Sequence, residues 1–165
     1  MANPDVAFGF VATPLLRARP YSVGVTNASI IYINDVVALE ASGNMITAAA
    51  ASALIIGSSL GYHAISTAVA HAPVADAVDQ EFHAQDDAGA TLTQTAIGQI
   101  ADHVATAGST YTKLSGHEIN AGTQASTIGG FQLLDVVDAP DNVVGANAIW
   151  RLLGVETLWN VTTGV

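Results

Sequence analysis

The chain has no cysteine, few cations and little charge of either sign. The absence of Cys excludes disulfides, thiolate catalysis and Cys-based zinc sites. Only 4 Lys and Arg residues stand against 14 Asp and Glu, a formal net charge of −10, which is too few cations to neutralise a phosphate backbone. An anionic membrane surface would repel such a chain for the same reason. We therefore expect no nucleic-acid partner and no membrane partner.

Large aromatic side chains are also scarce. Half of the 165 residues are hydrophobic, yet 30 are Ala and only 6% are Phe, Trp or Tyr, so the core should consist mainly of Val, Ile and Leu. This length suits one domain with a sizeable core. Since only 11% of the residues are charged, we expect much of the surface to be covered by neighbours.

One uncharged segment requires a membrane test. Residues 41–75 contain no Asp, Glu, Lys or Arg, and residues 45–62 approach the length of a bilayer span. Small residues dominate this stretch and no basic cluster flanks it, which favours strands over a membrane helix. The N-terminus has no basic region, so we expect no signal peptide.

Turn signals at spacings of roughly ten residues predict a mainly-β fold, a single antiparallel β-barrel or sandwich with at most one short helix. The prolines in residues 1–20 predict an extended N-terminal arm, with a partly ordered tail as the open alternative. The barrel or sandwich domain follows over residues 21–165. Residues 42–44 predict a hairpin turn, and Gly57 and Gly61 predict a bulge or tight bend. One or two helical turns are expected near residues 91–98, with Thr91 or Thr93 as the N-cap.

An acidic, His-containing segment is the main candidate metal site. Polar side chains from Asp79 to Gln85 alternate with other residues, the period-two pattern of a strand with one solvated face. Mixed carboxylate and imidazole groups suit several divalent cations. No spacing here matches a calcium loop, so we predict no metal site; Asp79, Glu81 and His83 would supply the ligands if one existed.

The sequence offers no catalytic constellation. Ser115, His117 and Glu118 include a nucleophile and a base, but adjacent residues on a strand point to opposite faces, and no nucleophile elbow surrounds the Ser. Asp86, Asp87 and Asp141 are candidate glycosidase carboxylates, although nothing in the sequence sets their separation. Phosphate-binding glycine motifs are absent. We predict no enzyme activity, no catalytic residue and no cofactor.

The most distinctive stretch, residues 136–160, places Asp, Pro, Asn and Gly between two apolar runs. Pro140 restricts the backbone, and Asp141 and Asn142 can cap turn amides. The pattern predicts a rigid corner between two strands.

Motifs along the whole chain resemble those of a family of small tailed-bacteriophage virion proteins, the capsid decoration or cement proteins. The opening "MANPDVAFGF" is similar to that family's Ala-Asn-Pro-Asp followed by an aromatic-Gly-aromatic trio. "DQEFHAQDDAG", "IGQIADHV", "GSTYTKLSGHEI" and "LLDVVDAPDNVVGANAIWRLLGVE" resemble its central strand, its middle and its closing strand pair, and "TTGV" its end. His83 stands where the family often has Glu, and Arg151 is the one basic residue left in the closing strands.

This resemblance implies a structural role without catalysis. Such proteins lie on the outer capsid surface of the virion, often as trimers, and stabilise the shell of the major capsid protein. We accordingly expect the major capsid protein and further copies of this chain, in a homotrimer, as partners, with synthesis in the host cytoplasm.

The arm is the first choice for contacts between subunits, and the Ala- and Gly-rich residues 45–70 are the second. Aromatic residues dominate interface energetics, although each Trp is equally compatible with a core position. The predicted interface residues are Pro4, Phe8, Phe10, Pro14, Trp150 and Trp159.

Two alternatives stay open. One is another virion component, such as a tail, neck or fibre-base protein. The other is a carbohydrate-binding β-domain on the virion, for which Trp150 and Trp159 are the candidate aromatic platforms.

Overall fold

The computed structural model describes residues 3–24, 30–49, 55–65, 70–125, 129–155 and 157. Within these ranges the fold is mainly β, with a closed barrel and antiparallel sheets, and this confirms the predicted fold class. In chain order the strands are β1 (Val11–Ala12), β2 (Ala18–Val23), β3 (Val36–Leu39), β4 (Met45–Thr47), β5 (Ile55–Ser59), β6 (Ala70–Ala75), β7 (Glu81–Gln85), β8 (Ile100–Ala101), β9 (His103–Val104), β10 (Glu118–Ile119), β11 (Phe131–Val136) and β12 (Ile149–Gly154).

Helical structure in the described ranges is limited to two 3₁₀ turns, Gln94–Ala96 and Ala121–Thr123. The first lies where helical turns were predicted and follows Thr93, one of the two predicted N-caps. Its hydroxyl makes no capping hydrogen bond and lies 2.8 Å from the hydroxyl of Thr95 instead. No helix in the part of the chain described here is long and apolar enough to cross a membrane.

Five strands close the barrel in the order β2-β4-β3-β5-β6. Neighbours are antiparallel except β2 and β4, which meet in parallel at Val23 and Met45. The predicted hairpin joins β3 to β4, and its Gly43 has a φ of 80°, a value that suits glycine.

Gly57 makes the predicted bulge. The register of β3 against β5 shifts between Val37 and Ala38, next to Gly57. Gly57 has a φ of 148°, and a Cβ on it would collide with the carbonyl oxygen of Ala75 on β6. The described parts of residues 45–62 therefore form β4 and β5, with the chain bent so that β5 reaches β6.

The other large sheet has the order β1-β7-β12-β11-β8 and is antiparallel throughout. β11 and β12 are the predicted strand pair on either side of the distinctive stretch. Asn142 closes the base of their connection: its Oδ1 accepts the Ile149 amide, and its Nδ2 donates to the carbonyl oxygens of Val137 and Ile149, each at 2.8 Å. The predicted corner is present; Asn142 caps it, while Asp141 is exposed.

β3 and β5 are buried on both faces, as expected for central strands with apolar runs, whereas β2 and β6 each have exposed residues. Val36 and Ala38 belong to one hydrophobic cluster and Val37 to another; Ile55 and Ile56 are divided in the same way. The cluster that contains Val37 consists of residues from the barrel strands together with Ile31, and it fills the interior of the barrel. The other lies between the barrel and the large sheet, and its largest members are Phe10, Phe82, Phe131, Leu133, Trp150 and Leu152.

The described part of the arm, residues 3–20, lies against the body of its own chain. Phe10 is fully buried in the cluster between barrel and sheet. β1 pairs with β7, and the expected boundary at residue 20 falls inside β2, where Pro20 lies opposite Pro73. Prolines are rare within sheets, so the sequence pattern indicated an arm where the chain in fact enters the barrel.

Replacing Gly57 with Ala should lower the free energy of unfolding by about 2–4 kcal/mol, because the new Cβ meets the Ala75 carbonyl and the backbone conformation is unfavourable. Gly43→Ala is the matched control, since Gly43 also has a positive φ but no atom within 4 Å of the position that a Cβ would take, and should cost about 1 kcal/mol. Urea unfolding measures both. Equal losses would contradict the steric role of Gly57.

Candidate functional site

Three buried polar side chains at the ends of β7 hold together the surface on which the arm lies. They are Gln80, Gln85 and Asp86, here called the β7 clamp, and their exposures are 1%, 2% and 0%. The sequence pattern placed Gln85 on the solvated face with Glu81 and His83, and this was wrong. Buried amides are retained where they satisfy backbone groups, a role that hydropathy alternation cannot reveal.

Gln85 fixes the beginning of the arm. Its Nε2 donates to the Pro4 carbonyl at 2.6 Å and to the Asn147 carbonyl at 2.9 Å. Its Oε1 accepts the Val6 amide at 3.0 Å. The Gln85 side chain thus bonds to the backbone of the arm as a neighbouring strand would, and it also joins the arm to the loop before β12.

Gln80 fixes the end of the arm in the same way. Its Nε2 donates to the Pro14 carbonyl at 2.6 Å, and its Oε1 accepts the Leu16 amide at 3.0 Å. Between the two glutamines, β1 pairs directly with β7. The backbone of the arm is therefore held at both ends and in the middle.

Asp86 organises the loop before β12. Its carboxylate accepts the amides of Ala88, Asn147 and Ala148 at 2.9–3.1 Å and the Trp150 Nε1–H at 3.2 Å. Burial raises the pKa of Asp86, and these hydrogen bonds offset part of the rise. Both oxygens of Asp86 are thus hydrogen-bonded within the chain, to four donors in all.

A cluster of ion pairs and hydrogen bonds around Asp76 fixes the arm where it enters the barrel. Asp76 is 1% exposed; Arg17 Nε lies 2.9 Å from its Oδ1, and Tyr21 Oη lies 2.6 Å from its Oδ2, which Arg19 also contacts. Burial alone would raise the pKa of Asp76, but the hydrogen bonds from Tyr21, Arg17 and Arg19 hold it below its usual value.

The predicted interface residues are divided between surface and core. Pro4 and Pro14 are exposed and Phe8 is half-buried. Phe10 and Trp150 are fully buried, so both are core residues in this conformation. Trp159 lies outside the described residues.

The arm presents aliphatic side chains that sequence reasoning missed. Val6 is 62% exposed, and Leu15 and Leu16 are each 50% exposed. The loop that binds Asn3 also exposes Val143 and Val144. An adjacent Leu pair in a Pro-rich segment carries no periodicity, so its exposure depends on the tertiary structure.

The three candidate metal ligands do not form a site. Asp79 lies in the exposed turn before β7, not on the strand as predicted. Glu81 and His83 lie on β7, where Glu81 Oε2 is 3.8 Å from Arg151 Nε and His83 is paired opposite Arg151. Across the described ranges, no group of three or more His, Asp or Glu side chains is arranged to hold a metal ion.

Ser115 and His117 are both buried but form no nucleophile–base pair. The Ser115 hydroxyl accepts the His117 amide at 2.9 Å in a local turn. The His117 ring faces elsewhere: its Nδ1 accepts the Val36 amide at 3.2 Å, and its Nε2 lies 3.6 Å from Oδ1 of Asp35. Asp35, 82 positions away in the chain, was not predicted.

Burial shifts both members of the Asp35–His117 pair toward their neutral forms. It lowers the pKa of His117 to about 3, helped by the stacked His103 ring at 5.3 Å. It raises the pKa of Asp35 to about 6, and the nearby Ser115 hydroxyl, Tyr32 amide and Thr47 hydroxyl offset part of the rise.

Like charges affect Glu118, the neighbour of His117. Burial raises its pKa to about 7, and the carboxylates of Asp5, Asp87 and Asp86 add to the rise. One of these, Asp5, belongs to the arm. At neutral pH the carboxylates around Glu118 therefore repel one another.

Comparisons of the chain with protein-family profiles, with curated proteins and with solved structures found no match.

Asp86→Asn should lower the free energy of unfolding by about 2–4 kcal/mol, because a carboxamide NH₂ would face backbone N–H groups that now have an acceptor. The exposed Asp141→Asn should change it by less than about 0.5 kcal/mol. Chemical denaturation measures stability, and the Trp150 Nε1–H resonance in NMR reports the local bond. An unchanged resonance in Asp86→Asn would contradict this role.

The Asp35–His117 pair should contribute almost no net pH dependence to stability between about pH 4 and 6. The stability that Asp35 contributes, with its raised pKa, is present below about pH 4 and is lost as pH rises through 6. The contribution of His117, with its lowered pKa, is present above about pH 6.5 and is lost as pH falls toward 3. The two slopes oppose each other.

Single substitutions should reveal how the stability contribution of each of the two residues depends on pH. Relative to the parent protein, Asp35→Asn should lose stability from pH 6 to 4, by up to about 1.4 kcal/mol per pH unit. His117→Asn, which keeps an acceptor for the Val36 amide, should gain stability over the same interval. Asp141→Asn is the control and should follow the parent. Urea unfolding at several pH values measures the free energy of unfolding of each variant relative to the parent. If both variants changed with pH in the same direction, the opposite contributions of Asp35 and His117 would be contradicted.

Proposed function

We propose that this chain is a non-enzymatic structural protein that decorates the outer surface of a bacteriophage capsid, where it binds the shell of the major capsid protein and stabilises it as a homotrimer. One observation carries the proposal: the arm is held rigidly by buried side chains while its Val6, Leu15 and Leu16 side chains are at least half exposed. The resemblance of the sequence motifs to capsid decoration proteins supplies the identity of the partner.

A rigid backbone with exposed aliphatic side chains suits protein binding. Completing the burial of a half-exposed Leu contributes about 1 kcal/mol. Because Gln80 and Gln85 already fix the arm, little conformational entropy remains to be lost on binding. A small contribution of this size becomes substantial when a trimer binds through three copies.

Electrostatics also favours a protein partner. Arg17 and Arg19 bind Asp76, Arg151 lies near Glu81, and Lys113 Nζ lies 4.4 Å from the centre of the Tyr62 ring. These are all 4 of the cationic side chains, and none belongs to a basic patch. Carboxylates such as Asp76 and Asp86 serve internal hydrogen bonds.

Among the residues that the structure describes, no side chain favours the carbohydrate-binding alternative. Trp150 is fully buried and its indole N–H is bonded to Asp86, so its ring offers no stacking face to a sugar. A tail, neck or fibre-base location would use the same exposed aliphatic side chains, and only particle experiments separate it from a capsid location.

Leu15→Ser combined with Leu16→Ser should weaken capsid binding about tenfold or more, because it removes apolar area from the arm and leaves its backbone bonds intact. Ile97→Ser is the matched control, since Ile97 is 39% exposed and lies outside the arm, and should bind as the parent does. Purified capsids of the phage that encodes the chain, stripped of it, would be titrated with labelled protein and sedimented.

Three outcomes would overturn the proposal. The chain is absent from purified particles, the Leu variant binds as tightly as the control, or electron microscopy places the label on the tail alone. A folded Leu variant, checked by thermal unfolding, is required for the second outcome to count.

A further inference from the structure

A cavity lies beside the Asp35–His117 pair, away from the β7 clamp. It measures about 390 Å³. Ile30 and Ile65 contribute apolar surface, and Ile65 is 61% exposed. The exposed Ala105 and Ala107 also line it. The space is large enough for a small organic molecule.

Asp35 and His117 give this cavity a polar floor. They are 1% and 2% exposed. Oδ2 of Asp35 accepts the Tyr32 amide at 2.8 Å, whereas its Oδ1 has no hydrogen-bond partner among the described residues. A buried carboxyl oxygen without a partner is costly and indicates a missing donor.

The tautomer of His117 supplies the complementary group. Because its Nδ1 accepts the Val36 amide, the neutral ring carries its proton on Nε2. Nε2–H and Asp35 Oδ1 are 3.6 Å apart, too far for a strong mutual hydrogen bond. The floor therefore presents one donor beside one acceptor.

We infer that the cavity binds a small neutral molecule that carries a hydroxyl group beside a short apolar chain, with the hydroxyl bonded to both Asp35 Oδ1 and His117 Nε2. A hydroxyl both donates and accepts, and an oxygen about 2.8 Å from each atom fits two groups at this separation. An ammonium would face the Nε2–H donor, and a carboxylate would face Asp35. The apolar chain contacts the Ile side chains. This inference is independent of the proposed function.

The test uses three probes with the same carbon count: 1-butanol, its isomer diethyl ether, which has no donor, and n-butylammonium. NMR of the uniformly ¹⁵N-labelled chain follows the amides of Tyr32, Thr47, Ala107 and His117 during titration. We expect a saturable shift with 1-butanol, with a Kd of about 1–10 mM for so small a ligand. Diethyl ether should bind about tenfold or more weakly, because it leaves Asp35 Oδ1 without a donor.

Two variants localise the site. Ala107→Leu adds bulk to the exposed wall of the cavity without touching the buried pair and should abolish the 1-butanol shifts. Ala90→Leu adds the same bulk to an exposed Ala outside the cavity lining and should leave them unchanged. Both changes are on the surface, so folding is expected to be retained, and the ¹⁵N spectrum itself verifies it.

Each alternative result overturns the inference. No saturable shift with 1-butanol means that the cavity holds only water. Equal binding of diethyl ether means an apolar pocket without hydroxyl recognition, and tighter binding of n-butylammonium means a cation site at Asp35. Unchanged 1-butanol binding in Ala107→Leu places the ligand elsewhere.

Discussion

The structure depends on a small set of buried polar side chains that satisfy backbone groups outside the regular sheets. The β7 clamp is the centre of this set: Gln80 and Gln85 bond the arm, and Asp86 bonds the loop before β12. The clamp lies at both ends of one strand, so that strand joins residues 3–20 to the last strand pair. An unsatisfied buried amide or carboxylate is costly, and removing one member would leave several backbone groups without partners.

This arrangement explains how a segment rich in proline and exposed aliphatic residues keeps a defined conformation. A two-residue strand such as β1 contributes few hydrogen bonds, and the glutamine carboxamides supply the others. The side chains of Val6, Leu15 and Leu16 are consequently held at the surface and do not collapse onto the core. A binding surface of this kind is preorganised, which is the physical basis of the proposed structural role.

Two buried electrostatic environments in the same chain behave differently. Asp76 is surrounded by Arg17, Arg19 and Tyr21 and stays ionised to low pH, because hydrogen bonds outweigh burial. Asp35 has the neutral, stacked imidazoles of His117 and His103 nearby and is shifted toward its protonated form, because burial dominates. The first arrangement secures the arm, and the second leaves a donor and an acceptor beside a cavity. The number of charged donors around each carboxylate decides between them.

The sequence by itself determined the β class, the hairpin at residues 42–44, the bulge at Gly57 and the corner between β11 and β12. Each of these depends on local backbone preference or on hydrophobic spacing, which neighbouring residues encode. Only the tertiary structure decided that residues 3–20 lie on their own chain, that Gln85 and Trp150 are buried, and that Asp35 meets His117. Those outcomes depend on hydrogen bonds between residues separated by tens of positions, and a buried amide or carboxylate has the same local sequence signature as a solvated one.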